Sequence, residues 1–266
     1  MCGTAPRPGE PRCPGCGRAI VAAGGGLDLL DDEAREAADR FAVDYAAVRR
    51  REGWMDPGGR EDPDDGDPRL WRQRVESMSE ARAALAAIRT GEGRPVVLDV
   101  GSGGGWAARY VGDADVIAID ILDVAGGTAA LHVRGDMRRL PLQEGSVDAA
   151  MYIASLHYAP LEQALAEAAR VLRRGGVMIA VDSPMYRDRL AQARATARSA
   201  AYYAGAGFPD LAAHYHPIDL TDLKTSLVAS GFEVMRLEGG STARRWYQRA
   251  GRPRRPSFLL AKSKAG

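Results

Sequence analysis

The sequence predicts a doubly wound α/β fold, a mostly parallel sheet with helices on both faces, preceded by a helical extension. Three observations predict it. Short apolar runs alternate with helical stretches from Pro95 onward. Three of those runs, Val96–Val100, Val147–Ile153 and Val177–Val181, are apolar at nearly every position. Parallel strands covered on both faces read this way. Finally, Phe232–Leu237 and Ser257–Lys262 are strand-like and leave no room for a crossover helix. They fit an antiparallel pair at the sheet edge.

Residues 1–26 are rich in Gly and Pro and hold all three cysteines, Cys2, Cys13 and Cys16. They read as a cysteine-containing knuckle or a flexible tail. Residues 27–92 read as a helical extension. From Asp31 to about Trp54, Phe41, Tyr45 and Val48 share one helix face, with acids at the start and Arg49, Arg50 and Arg51 at the end. Residues 55–68 are turn formers and acids, a mobile loop by composition. A second helix runs from Arg69 to Ile88 and stops at Gly91 and Gly93.

Residues 93–266 read as the α/β domain. Its strands are Val96–Val100, Val116–Ile119, Ala130–Val133, Val147–Ile153 and Val177–Val181. Leu161–Leu172 is a helix ended by Gly175 and Gly176, and Leu220–Ser230 is another. Between them, residues 184–218 form a long insert.

Composition excludes some classes. Apolar residues make up 45% and charged residues 27%, enough for a full core. The net charge of +1 provides no global field toward nucleic acid or anionic lipid. The only lysines are Lys224, Lys262 and Lys264, so the arginines reflect a compositional bias and their clusters weigh little. No stretch approaches the roughly 18 apolar residues that cross a bilayer, and the first residues lack a signal-peptide core. Three crowded cysteines are no disulfide framework, so a cytoplasmic setting is expected.

The chemistry concentrates after the strand Val96–Val100. There Asp99, Gly101, Ser102, Gly103, Gly104 and Gly105 make a Gly-rich turn where open parallel sheets bind ligands. Asp120 ends the next strand, 21 residues after Asp99, placed to accept ribose hydroxyls. A nicotinamide dinucleotide fits both features. Its Gly-x-Gly-x-x-Gly fingerprint, however, needs a glycine at position 106, where Trp106 stands. After the third strand, Asp136 can accept an adenine amino group, and an apolar neighbour, Met137, can cover the ring.

Gly135-Asp136, Leu140-Pro141-Leu142 and Gly145-Ser146-Val147-Asp148 follow, and then Arg170-Val171-Leu172-Arg173-Arg174-Gly175-Gly176. As a set, over residues 95–183, these motifs resemble the class I, Rossmann-like S-adenosylmethionine-dependent methyltransferases, with a core like the type 11 members. The resemblance implies a seven-stranded sheet whose last strand is antiparallel. It implies that Asp99 and the Gly101–Gly105 backbone meet the methionine moiety of S-adenosylmethionine. Asp120, with Ile121, would meet the ribose, and Asp136 and Met137 the adenine. Ala154 to Tyr158 would flank the methyl group. It also implies that the insert 184–218 is a lid over the acceptor.

Methyl transfer from a sulfonium is an in-line displacement, so alignment matters most and a base only when the acceptor loses a proton. His157, His214 and His216 are the candidate bases, and Tyr158, Tyr202, Tyr203 and Tyr215 the candidate acceptor contacts. The sequence after the fourth strand, Ile153 to Pro160, lacks the Asn/Asp-Pro-Pro-Tyr/Phe tetrapeptide of amino-group methylases. A small-molecule acceptor is therefore expected. The alternatives are a ribosomal RNA base, suggested by the cysteine knuckle and Arg244 to Arg255, and a non-catalytic cofactor-binding module. Cys13 and Cys16 have the spacing of half a zinc site, but no second pair completes it. Oligomeric state is unread.

Overall fold

The computed structural model describes residues 21–23, 26–88, 93–123, 131–238 and 258–264. Two short strands, β1 (Val21–Ala23) and β2 (Gly26–Asp28), precede helices α1 (Asp32–Glu52) and α2 (Pro68–Ala86). Strand β3 (Val96–Val100), helix α3 (Ala108–Val111), and strands β4 (Asp115–Asp120), β5 (Leu131–Arg134) and β6 (Val147–Ile153) follow. Then come α4 (Leu161–Val171), β7 (Leu172–Val181), β8 (Met185–Tyr186), α5 (Arg189–Ala206), β9 (Ile218–Asp219), α6 (Leu220–Ala229), β10 (Phe232–Glu238) and β11 (Phe258–Ser263).

The main sheet has the order β1-β2-β5-β4-β3-β6-β7-β11-β10. The seven strands from β5 to β10 are the expected sheet, with β11 antiparallel to both β7 and β10. The extension adds two strands: β2 pairs parallel with β5, Leu27 opposite Val133, and β1 pairs antiparallel with β2. Strand order reverses at β3, which has β4 on one side and β6 on the other. The crevice beyond the carboxyl ends of these strands is the topological switch point.

Alternate residues of the central strands feed two cores. Leu98, Val100, Ala150, Tyr152, Met178 and Ala180 pack with Leu165 of α4 and Leu223 of α6. Val97, Ala149, Met151, Ile179 and Val181 pack with Trp71 and Met78 of α2 and with Trp106. The extension is thus no appendage, because α2 supplies the cover for one sheet face. The buried Asp148 accepts the Val96 amide at 2.8 Å and pairs with Arg173, tying β6 to the start of β3.

Helix α1 starts at Asp31, whose carboxylate accepts the Ala34 amide, and stops at Gly53 in the left-handed conformation. Its first turns are held to the sheet edge by ion pairs. Asp28 accepts Arg35 Nε at 2.8 Å and lies 3.5 Å from Arg134, which also pairs with Asp39. Its apolar face, Phe41, Tyr45 and Val48, meets Tyr203, Phe208, Leu211 and Tyr215 of the insert. Extension and insert therefore form one roof.

The loop 55–68, expected to be mobile from its acids and turn formers, carries one anchored acid. Asp62 is buried and bidentate with Arg109, at 2.6 and 2.9 Å. One fixed guanidinium outweighs the loop's composition, because a paired carboxylate here replaces its water with two charge-assisted hydrogen bonds. Cys13, Cys16 and residues 244–255 lie outside the described residues. Among the described residues, no group of three or more His, Cys, Asp or Glu side chains could hold a metal, and no helix is long and apolar enough to cross a membrane.

Asp62→Asn should cost about 1–3 kcal/mol in urea unfolding and expose the Arg60 peptide bond to trypsin. The Arg109 hydrogen bonds hold the Asp62 carboxyl below its usual pKa. Its contribution is therefore complete above the ordinary carboxylate range and is lost as pH falls through the lowered pKa. A variant as stable and as protease-resistant as the parent at pH 7 would refute the anchor.

Candidate active site

The Gly-rich turn after β3 owes its shape to alternate glycines. Gly101, Gly103 and Gly105 have φ of 69°, 51° and 70°, which side chains rarely adopt. Space adds a second constraint. A Cβ on Gly101 would stand 2.5 Å from Ser155 Cβ, and one on Gly105 2.6 Å from His132 Cε1. The Gly101 and Ser102 amides both donate to the Ile119 carbonyl, folding the turn across the end of β4. At the ends of the neighbouring strands β6 and β7, two non-glycine residues are left-handed, Ala154 at φ 51° and Asp182 at 58°. That costs each roughly 1–2 kcal/mol, and such strain collects at functional sites.

A cleft of about 1230 Å³, mouth included, runs over these strand ends. Its floor brings together Asp99, Gly101, Ser102, Gly103, Asp120, Ile121, Asp136, Met137 and Ala154. Tyr158 and His214 also line it. Gly105 does not; its role here is to let the turn pack on His132. The walls come from elsewhere. Ala34, Ala38, Phe41, Tyr45 and Arg49 of α1, Glu61 of the loop 55–68 and Arg74 of α2 all face the same space.

Four carboxylates line this cleft. Asp99 is 1% exposed, and neither of its oxygens meets a donor among the described residues. Burial, with the Asp120 charge beside it, pushes its carboxyl up to about 7. Asp120 is also raised by burial, though its oxygens accept the amides of Gly103 at 2.8 Å and Leu122 at 2.9 Å. Each oxygen keeps a lone pair, so two vicinal hydroxyls fit it. Glu61 is raised chiefly by burial, and Tyr45 donates to it at 3.4 Å. Asp136 is held by Arg138, which donates from its amide at 2.8 Å and from its guanidinium. Met137 reaches the turn, its Cε 3.1 Å from where a Gly101 Cβ would be.

The other nominated residues take different places. His157 is buried, its ring 4.3 Å from that of Tyr158 and 5.1 Å from that of Tyr215, and it does not line the cleft. Burial first, then the Arg49 and Arg74 charges, drive its pKa down to about 3. His216 also lies off the cleft; its amide donates to the His157 carbonyl at 2.7 Å. His214 packs edge-on against Phe41 at 4.8 Å, and burial lowers its pKa. Tyr203 and Tyr215 belong to the roof cluster, while Tyr202 is exposed and donates to Glu52 at 2.5 Å. Tyr158 is the one of the four tyrosines in the cleft lining, and Arg49 donates to its hydroxyl. Trp106 does two jobs, packing on Trp71 at 5.3 Å and lining the cleft.

The sequence reading missed Arg49, Glu61 and Arg74 as cleft residues. Arg49 looked like a helix C-terminal cation, Glu61 one acid of a loop, and Arg74 one arginine among many. Phe41 and Tyr45 were visible as a stripe, but a stripe does not say which cleft it roofs.

Comparison with known proteins finds a family model over part of the chain and a shared fold. Residues 98–180 match the family model described as a methyltransferase domain. No curated protein sequence matches the chain. Among solved structures, 1,6-didemethyltoxoflavin-N1-methyltransferase of Burkholderia thailandensis aligns at 18% identity and a TM-score of 0.51, over 93% of this chain and 95% of that one. It was crystallised with 1,6-didemethyltoxoflavin and S-adenosylhomocysteine. Geranyl diphosphate C-methyltransferase of Streptomyces coelicolor aligns at 15% identity and 0.51, over 72% and 80% of the two chains. The [4+2]-cyclase SpnF aligns at 16% and 0.54, over 88% and 97%. Likeness at these identities establishes the fold, which is that of the class I methyltransferases.

In the ligand-free protein, Asp99→Asn should be stabilising, with a strongly pH-dependent margin. The unfolded Asp ionises near 4 and the folded one near 7. A raised folded pKa means that stability is lost as pH rises between these values and is level above them. Denaturant unfolding should show the variant's advantage growing from pH 4 to 7 and then constant. A margin that does not change with pH would contradict the buried, unpartnered carboxylate.

Proposed function

We propose that this chain, whose residues 98–180 match the methyltransferase-domain family model, binds S-adenosylmethionine in the cleft and methylates a small molecule held under α1. The observation that carries this reading is the set of groups lining one cleft at the switch point: Met137, Asp136, Asp120, the Gly101–Gly103 turn and Asp99, whose oxygens meet no donor among the described residues. Asp136 and Met137 suit adenine, Asp120 a ribose, and the buried Asp99 a cation. The donor supplies an already activated methyl carbon.

What the residues contribute is placement and dryness. Asp99 and Asp120 fix the donor end. Ala154 and Tyr158, beyond β6, stand where the strand ends meet the roof. Phe41, Tyr45, Tyr158 and His214 surround the remaining space with aromatic faces, and Arg49 donates to the Tyr158 hydroxyl among them. That lining fits a small, flat, largely apolar acceptor better than a nucleotide within a folded RNA, which would need an open basic groove. Tyr203 and Tyr215 support this wall from behind. The cysteine usage fits a cytoplasmic setting.

For an acceptor that must lose a proton, His214 is the histidine to use. Its lowered pKa keeps it neutral at pH 7, and it reaches the cleft. His157, with a pKa near 3, offers little driving force for proton removal. A cofactor-binding protein without methyl transfer is the competing reading, favoured by the cyclase's shared fold.

Calorimetry with S-adenosylhomocysteine should show binding that Asp120→Ala weakens by roughly tenfold or more, as expected for a lost charge-assisted contact. No binding by the parent protein would sink the assignment. With an acceptor found by screening planar phenols and amines for S-adenosylhomocysteine release, His214→Ala should lower kcat by roughly 10²–10⁴-fold where a proton is lost. His157→Ala should act mainly on stability. The reverse pattern would move the base to His157.

A further inference from the structure

Resting on that reading of the cleft, we propose that Glu61 and Arg74, both from the N-terminal extension, clamp the amino-acid end of the methyl donor. Arg74 takes the carboxylate, and Glu61 shares the ammonium with Asp99. The matched methyltransferase domain begins at residue 98, so neither residue belongs to it.

The Arg74 guanidinium lies 3.9 Å from the Trp54 ring centroid and 5.3 Å from that of Trp71. Trp71 packs in turn on Trp106, just past the Gly-rich turn. Stacking occupies the flat face of a guanidinium and leaves its edge N–H donors available. Among the described residues no carboxylate comes within ion-pair distance of Arg74. Yet the residue lines the cleft, and its charge acts on Glu61.

Glu61 lies directly on the turn. Its Oε2 is 3.0 Å from the position of a Cβ on Gly103, and its carbonyl oxygen 3.1 Å from that on Gly104. Glycine at 103 and 104 is what allows this approach. The neighbouring Asp62, fixed by Arg109, holds the loop there.

Charge matching then selects the ligand. Arg49 is paired with Glu52, and Arg138 with Asp136. This leaves Arg74 as the cleft-lining guanidinium without an ion pair among the described residues, its charge acting on Glu61 and on Asp182, in the same cleft as Asp99 and Asp120. A sulfonium α-amino acid carries two positive groups and one carboxylate, so its carboxylate matches Arg74 and its positive groups match Asp99 and Glu61, while Asp120 keeps the ribose. A nucleoside lacking the amino acid would satisfy neither Arg74 nor Glu61.

The test compares two ligands by calorimetry: S-adenosylhomocysteine, and 5′-methylthioadenosine, which keeps the nucleoside and thioether but lacks the amino acid. The parent should prefer S-adenosylhomocysteine by at least about tenfold. Arg74→Ala should weaken S-adenosylhomocysteine by roughly 10- to 100-fold and leave 5′-methylthioadenosine within about twofold, which also reports an intact fold. Arg74→Lys should recover most of the loss, and the near-isosteric Glu61→Gln should weaken only the amino-acid ligand. Equal weakening of both ligands, or unchanged S-adenosylhomocysteine affinity in both Arg74→Ala and Glu61→Gln, overturns the clamp. A parent protein that binds neither ligand removes the donor assignment itself, and the clamp with it.

Discussion

Burying the Asp99 carboxylate at the end of the central strand, with neither oxygen hydrogen-bonded among the described residues, works against folding. The Asp120 charge beside it makes the burial harder. Much of the surrounding structure makes sense as accommodation of this group. The Gly-rich turn carries its backbone across the strand end without side chains, and the Gly103 amide steadies Asp120 rather than Asp99. The cores on both sheet faces, in which most side chains of β3 and β6 are fully buried, supply the burial that outweighs the unpaired acid. Strain at Ala154 and Asp182 belongs to the same edge of the sheet. The stability built into the strands is set against the unfavourable features at their carboxyl ends.

The extension is where this chain elaborates a widely used sheet. It adds two strands at the β5 edge, covers one sheet face with α2, and lays α1 across the cleft. Ion pairs of Asp28, Arg35, Asp39 and Arg134 fix the start of α1, and the aromatic cluster with the insert fixes its end. Both ends are held by partners far away in sequence. The acid-rich loop between α1 and α2 follows the same pattern, placed by Arg109 and by glycines that admit its backbone. A helix pair and a loop that resemble a linker by composition become two walls of the site.

The strands and the layer architecture were legible because each depends on local patterning. Apolar runs, an acid after a strand, and glycines at alternate positions encode β3, its turn and β4 without reference to anything distant. The floor residues, Asp99, Gly101, Ser102, Gly103, Asp120, Asp136 and Met137, were legible for the same reason: each belongs to a strand end and the turn that follows. The histidines were not separable. Nothing local distinguishes His157, sealed between two tyrosines, from His214, which reaches the cleft, because the difference lies in what the roof packs against.

The sequence by itself thus determined seven of the strands, the ligand-binding turn and the chemical character of the cleft floor, since backbone periodicity and turn chemistry are short-range properties. The tertiary structure alone decided which charges go unpaired. Arg49 is matched by Glu52 and Arg138 by Asp136, while Arg74 is left on a tryptophan face in the cleft that Asp99, Asp120 and Glu61 also line. Pairing between charges falls off within a few ångströms, so only the folded arrangement can say which arginine of so many faces the ligand.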